Sequence, residues 1–150
     1  MGVVVVGVDR SEISTKALRA AIREAEWRGA SVVVVHVVPR PALETVAALK
    51  NSFDVEGFGA DAIAEYLQEV EATFDGGFPV DVTSEVRVGH PGDEILKLAG
   101  SCDAELIVLG SRGRGGVKGL LLGSVTTYAV HHIRRPLLVV PGDEAEQDNE

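Results

Sequence analysis

Apolar residues arrive along this chain in two rhythms: unbroken runs of branched side chains, and stripes that return every three or four positions. Residues 3–8, VVVVGV, form an unbroken run that stops at Asp9. Without polar alternation, such a run predicts a strand buried on both faces, as in a parallel sheet. Ser11 then offers a hydroxyl N-cap, and Ile13, Ala17, Leu18, Ala21, Ile22 and Ala25 recur at helical spacing until Gly29 closes the helix. Residues 31–38, SVVVVHVV, repeat the strand signature and end before Pro39 and Pro41.

The next stretch has mixed character, with a short helix expected over residues 43–49 and a glycine-bearing loop running to Gly59. A second crossover helix is predicted over residues 61–74, with Ile63, Tyr66, Leu67, Val70 and Phe74 on one stripe. Val80, Val82, Val86 and Val88 alternate with polar residues, the pattern of an edge strand with one exposed face. Pro91 suits a first helical position, and Ile95, Leu96 and Ala99 carry that helix to about Gly100. Residues 106–109 form a fourth strand, a helix follows Ser124 to about His132, and residues 137–140 form a fifth strand between Pro136 and Pro141. Strands alternating with helices throughout define an α/β chain folded as an open, doubly wound sheet of five parallel strands. One domain over residues 1–141 is expected, followed by an acidic, mobile tail over residues 142–150.

Composition narrows the partners. The formal charge is −9, and a field of that sign opposes nonspecific attraction to nucleic acid or an anionic membrane. Cys102 is the only cysteine, which rules out an intrachain disulfide and a cysteine-rich metal centre and suits a reducing cytoplasm. The apolar run at the start is too short for a signal h-region or a membrane span.

Against this acidic background, residues 110–126, GSRGRGGVKGLLLGSVT, hold six glycines and three basic side chains. No glycine there is followed by Lys and then Ser or Thr, so it is not a Walker loop, and GVDRSE after the first strand is not a dinucleotide fingerprint. Instead, Gly110 and Gly113 stand where a strand ends, allowing several backbone N–H groups to face inward as an anion nest. Nine residues after Gly113, Gly123 and Ser124 open a helix, adding free N–H groups, a positive dipole end and a hydroxyl. In doubly wound sheets ligands sit beyond the strand ends where the strand order reverses, which here brings Asp9 and Gly110 to one crevice. Asp9 suits either a helix cap or a ligand contact, with ligand contact favoured by its place. Arg112 and Arg114 suit either solvated charges or phosphate partners.

The spacing G-x2-G-x9-G-[ST] after a hydrophobic strand, together with a first strand ending in Asp9 and a second ending in HVV, resembles the universal stress protein family in its ATP-binding branch. The resemblance runs over residues 3–141, including the ending GSVTTYAVHHIRRPLLVV. It implies a Rossmann-like sheet of order 3-2-1-4-5, related to the adenine nucleotide alpha hydrolases, with ATP in the crevice and a homodimer formed through the last strands. It further implies that Gly7, Val8 and Asp9 lie along the nucleotide and that Val38 offers backbone groups to the adenine edge. Gly110, Ser111, Arg112, Gly113, Arg114, Gly115 and Gly116 would wrap the ribose and phosphates, and Gly123, Ser124, Val125 and Thr126 would complete the phosphate site. Magnesium or manganese would bridge the phosphates, held mostly by water. Tyr128, His131 and His132 depart from the charged or small residues more usual there, which bears on partners and dimer contacts.

The function so implied is that of a cytoplasmic ATP-binding stress protein, in which nucleotide orders the glycine loop for a protein partner to sense. The alternatives are a slow ATPase or nucleotide-dependent enzyme using the same crevice, and a dimerisation module whose loop stays empty. No paired general base and water-positioning group is visible, so no catalytic residue is assigned. No metal-ligating residue is assigned either, since His131 and His132 are adjacent and cannot share one helix face. His36 reads as a satisfied core histidine, and Trp27, Tyr66 and Tyr128 read as packing residues.

Overall fold

The computed structural model describes residues 1–40, 55–112 and 122–142, with only the backbone described for residues 55–58. The elements follow in the order β1 (Val3–Gly7), α1 (Glu12–Arg28), β2 (Ser31–Val38), α2 (Val55–Glu71), β3 (Val82–Val88), α3 (Pro91–Ser101), β4 (Leu106–Gly110), α4 (Ser124–His132) and β5 (Leu137–Val140). The strands form one sheet, ordered β3-β2-β1-β4-β5 and parallel at every pairing. The expected short helix over residues 43–49 and the acidic tail from residue 143 lie outside the described residues.

The unbroken valine run of β1 is explained by cover on both faces. Val4 and Val6 pack with Leu18, Ile22 and Ile63 from α1 and α2, and Val5 packs on the other side with Ile95, Leu98 and Ala129 from α3 and α4. All three valines are 0% exposed, and each such burial contributes on the order of 1.5–3 kcal/mol relative to an exposed side chain.

Helix ends follow their sequence signals. Ser11 Oγ accepts the Ser14 N–H at 3.2 Å at the start of α1, and Gly29 closes the helix with a left-handed φ of 65°. At α3, Pro91 takes the first turn as expected, and His90 Nδ1 accepts the Asp93 N–H at 3.1 Å as an unforeseen cap.

Three expectations are corrected. The loop expected to run through Gly59 is already helical from Val55. A Cβ at Gly59 would stand 2.9 Å from Val86 Cγ1, so the glycine lets α2 press onto β3 and does not break the helix. The third strand begins at Val82, and Val80 packs against the core from the preceding turn. Trp27 is not a packing residue. It is 74% exposed, because the stripe Ala17, Leu18, Ala21, Ile22 and Ala25 faces the sheet and the helical turn carries position 27 to the opposite side. Tyr66 is buried, and Tyr128 lies over Gly92 between the rings of His90 and His132.

Candidate functional site

The carboxyl ends of β1 and β4 lie side by side, with Val6 opposite Val108. Beyond them the chain departs through Val8 and Asp9 on one side and through Ser111 and Arg112 on the other. The two strand-end glycines have packing reasons of their own. A Cβ at Gly7 would lie 2.8 Å from both Ile95 Cδ1 and Leu109 Cδ2, and one at Gly110 would lie 2.6 Å from Ile13 Cγ2. Their absence lets α1 and α3 close tightly on the strand ends.

Asp9 begins a short hydrogen-bonded turn. Its Oδ1 accepts the Ser11 N–H at 3.0 Å, and the intervening Arg10 takes a left-handed φ of 66°. The carboxylate thus shapes the entry to α1, while Ser11 supplies the cap. Ser14 Oγ donates to the Ser11 carbonyl at 3.0 Å, Thr15 Oγ1 donates to the same carbonyl at 3.1 Å, and Thr15 Oγ1 lies 2.7 Å from the Tyr66 hydroxyl on α2. Burial pushes the Tyr66 phenol above its ordinary pKa; its hydrogen bonding with Thr15 and Ser14 pulls it back, and the Asp9 charge raises it. This link from Asp9 to α2 has no signature in the sequence, because Ser, Thr and Tyr at those spacings fit any helix.

β2 meets the same end of the sheet. His36 Nδ1 lies 2.9 Å from the Val8 carbonyl, which can only accept, so the neutral ring carries its proton on Nδ1. The half-buried His36 is satisfied as expected. The Val38 carbonyl accepts the Gly89 N–H at 3.0 Å, so one of its lone pairs is already used.

On the β4 side, the stretch that follows the strand is clamped at its two ends. Ser111 donates its N–H to the Val140 carbonyl at 2.8 Å, and its own carbonyl accepts the Gly123 N–H at 2.6 Å. Thr126 Oγ1 donates to the Gly110 carbonyl at 2.7 Å. The start of α4 is therefore registered on the end of β4. The hydroxyl proton of the buried Thr126 is committed to that clamp, so any ligand contact it makes falls to its backbone. Ser124 is exposed at the first position of α4, and Val125 packs against the core beneath it. Gly113, Arg114, Gly115 and Gly116 lie outside the described residues; Arg112 lies half-buried just before them.

The amino end of α4 differs electrostatically from those of α1 and α3. Gly123 provides no side-chain cap and the first turn has no acidic residue, whereas α1 has Ser11 and Glu12, and α3 has His90, Asp93 and Glu94. Uncapped N–H groups and an uncompensated dipole favour an anion at that end. Among the described residues no three His, Cys, Asp or Glu side chains converge to hold a metal ion. Nor, among them, is any helix long and apolar enough to cross a membrane.

The sheet order and the crevice at its reversal place the chain among the doubly wound, Rossmann-like α/β proteins. A sequence model described as the universal stress protein family matches residues 1–141, and the chain belongs to that family. It is 31% identical to universal stress protein Sll1388 of Synechocystis, over 93% of this chain and 97% of that protein. It is 34% identical to Rv2005c of Mycobacterium tuberculosis over 91% of this chain, spanning 44% of that longer protein. Among solved structures it resembles UspA from Lactobacillus plantarum, with a TM-score of 0.73, 23% identity, and coverage of 93% of this chain and 97% of that one. It also resembles a universal stress protein in complex with cAMP, with a TM-score of 0.67, 25% identity, and coverage of 93% and 96% of the two chains.

Proposed function

We propose that this chain binds an adenine nucleotide, ATP by preference, at the crevice between Asp9 and the start of α4, and that occupancy is read by a protein partner. The carrying observation is the uncapped amino end of α4, held on the end of β4 by the Thr126 to Gly110 and Gly123 to Ser111 hydrogen bonds. A fixed cluster of backbone donors binds phosphate without reorganising, and Ser124 adds a hydroxyl at its rim. Arg112, with Gly113, Arg114, Gly115 and Gly116 beyond it, supplies positive charge and close backbone approach to the phosphate chain. Gly7, Val8, Asp9 and Val38 line the side reserved for the nucleoside. The relative solved with cAMP supports the adenine-nucleotide class.

Magnesium or manganese would enter with the phosphates and neutralise their charge, with water as the main ligand. Residues 1–141 act as one binding domain of a cytoplasmic protein. β5, a sheet edge with every residue half-buried, is the surface for a homodimer. The reading as a nucleotide-dependent switch requires the stretch between Ser111 and Gly123 to differ with and without ATP.

The test is mass spectrometry of ligand released from gently purified protein, with calorimetric titration of ATP and cAMP into the nucleotide-free protein. ATP binding at micromolar concentrations, weakened by Ser124→Ala, is expected. No heat of binding with ATP at about 1 mM would overturn the proposal. Hydrogen exchange between Ser111 and Gly123 that does not change at saturating ATP would remove the switch.

A further inference from the structure

Arg19, Arg23 and Trp27 stand four residues apart along the outer face of α1, and all three are exposed. Like charges at that spacing disfavour a helix, and a Trp left 74% exposed at its end contributes little to the core. Arg19 is anchored, donating to Thr73 Oγ1 with its guanidinium 5.2 Å from the Phe74 ring. Arg23 forms no ion pair among the described residues, while Arg28 on the same helix is taken by Glu24 and Glu105. On a chain with a formal charge of −9, this is a basic and aromatic strip on an acidic body.

We propose that this strip is the docking surface for the chain's own acidic end, which carries Asp143, Glu144, Glu146, Asp148 and Glu150. Charge complementarity selects an acidic segment. The negative body repels a free acidic partner at long range, but a tethered segment is held at an effective concentration of about millimolar and needs no long-range attraction. Reach agrees. β5 runs parallel to β1 and β4, so it ends on the side of the sheet where α1 begins, and α1 packs against β5. Eight residues from position 143 extend about 27 Å, against about 25 Å for the length of α1. Arg19 and Arg23 fall within that span, and Trp27 stands near its limit.

Trp27 is the only tryptophan, so its fluorescence reports on the strip without a label. The probe is acrylamide quenching of the protein, with residues 143–150 present, at low salt. It is compared with a variant carrying Asp143→Asn, Glu144→Gln, Glu146→Gln, Asp148→Asn and Glu150→Gln, with Arg23→Glu, and with the two combined. Docking predicts a rise of about 1.5- to 2-fold in the quenching constant for either change, with no further rise when they are combined. It also predicts the same rise in the unmodified protein as salt goes from about 0.05 M to about 1 M. Quenching unaltered by the neutralised end would overturn the proposal, as would a response that Arg23→Glu does not share. A dependence on protein concentration would also overturn it, since the acidic end would then come from a second copy.

Discussion

The Thr126 hydroxyl donates to the Gly110 carbonyl across 2.7 Å, tying the first turn of one helix to the last residue of the strand that precedes it in the chain. Thr126 is 2% exposed, so Thr126→Val keeps the shape of the site and leaves the carbonyl of the half-buried Gly110 without that donor. We expect a loss of about 1–3 kcal/mol in urea-unfolding stability, with ATP affinity reduced because α4 is no longer held in register. Thr126→Ser should recover most of both.

Gly123 offers a change whose two effects have opposite signs. Its φ of −76° and ψ of 173° are open to any residue, so Gly123→Asp installs a carboxylate cap on α4. Unfolding measurements should find the empty protein unchanged or more stable by a few tenths of a kcal/mol. Calorimetry should find ATP binding weakened by about tenfold or more, because the new carboxylate takes the same N–H groups and repels phosphate. Equal affinity in the two proteins would mean that phosphate does not sit at this helix end.

Ser11→Ala removes the side-chain acceptor for the Ser14 N–H but leaves the Ser11 carbonyl that Ser14 and Thr15 use. A cost of about 1 kcal/mol, read from the denaturant midpoint, is expected for a lost N-cap.

Tyr66 sets an alkaline limit. Burial raises its folded pKa above the ordinary 10.0, so the folded state favours the neutral phenol. That contribution is complete below the unfolded pKa and is lost as pH rises through the folded one. Chemical denaturation followed from about pH 9 to about pH 12 should show stability falling in that window. Tyr66→Phe should flatten the fall, since Thr15 keeps its bond to the Ser11 carbonyl.

The central strands were legible because Val4, Val5 and Val6 are buried on both faces, and burial on both sides leaves no polar alternation to confuse. Ser11 and Gly29 announced their caps because a hydroxyl acceptor and a left-handed residue are local needs. Gly59 misled for the opposite reason. Its purpose is to make room for Val86, a contact between elements that no local pattern encodes. Trp27 misled because composition makes an aromatic residue look like core, whereas its helical phase, already fixed by Ala21, Ile22 and Ala25, places it outside. At the crevice, the sequence placed Gly110 and Gly123 near one another through spacing, but it carried no trace of the Thr126 hydroxyl turning inward. It was equally silent on the chain of hydroxyls from Ser11 to Tyr66. Those depend on rotamers and distances set only once the helices have packed.

The Ser111 carbonyl accepting the Gly123 N–H has a consequence for how this chain can vary. Once the two ends of a loop are joined by bonds of their own, the sheet no longer senses how much chain runs between them. Closure entropy then grows only with the logarithm of length, about 0.6 kcal/mol for each doubling. Insertions or deletions between these two residues should leave the fold almost as stable as before. The span proposed above to meet the nucleotide and its reader can therefore be recut without dismantling the sheet that holds it.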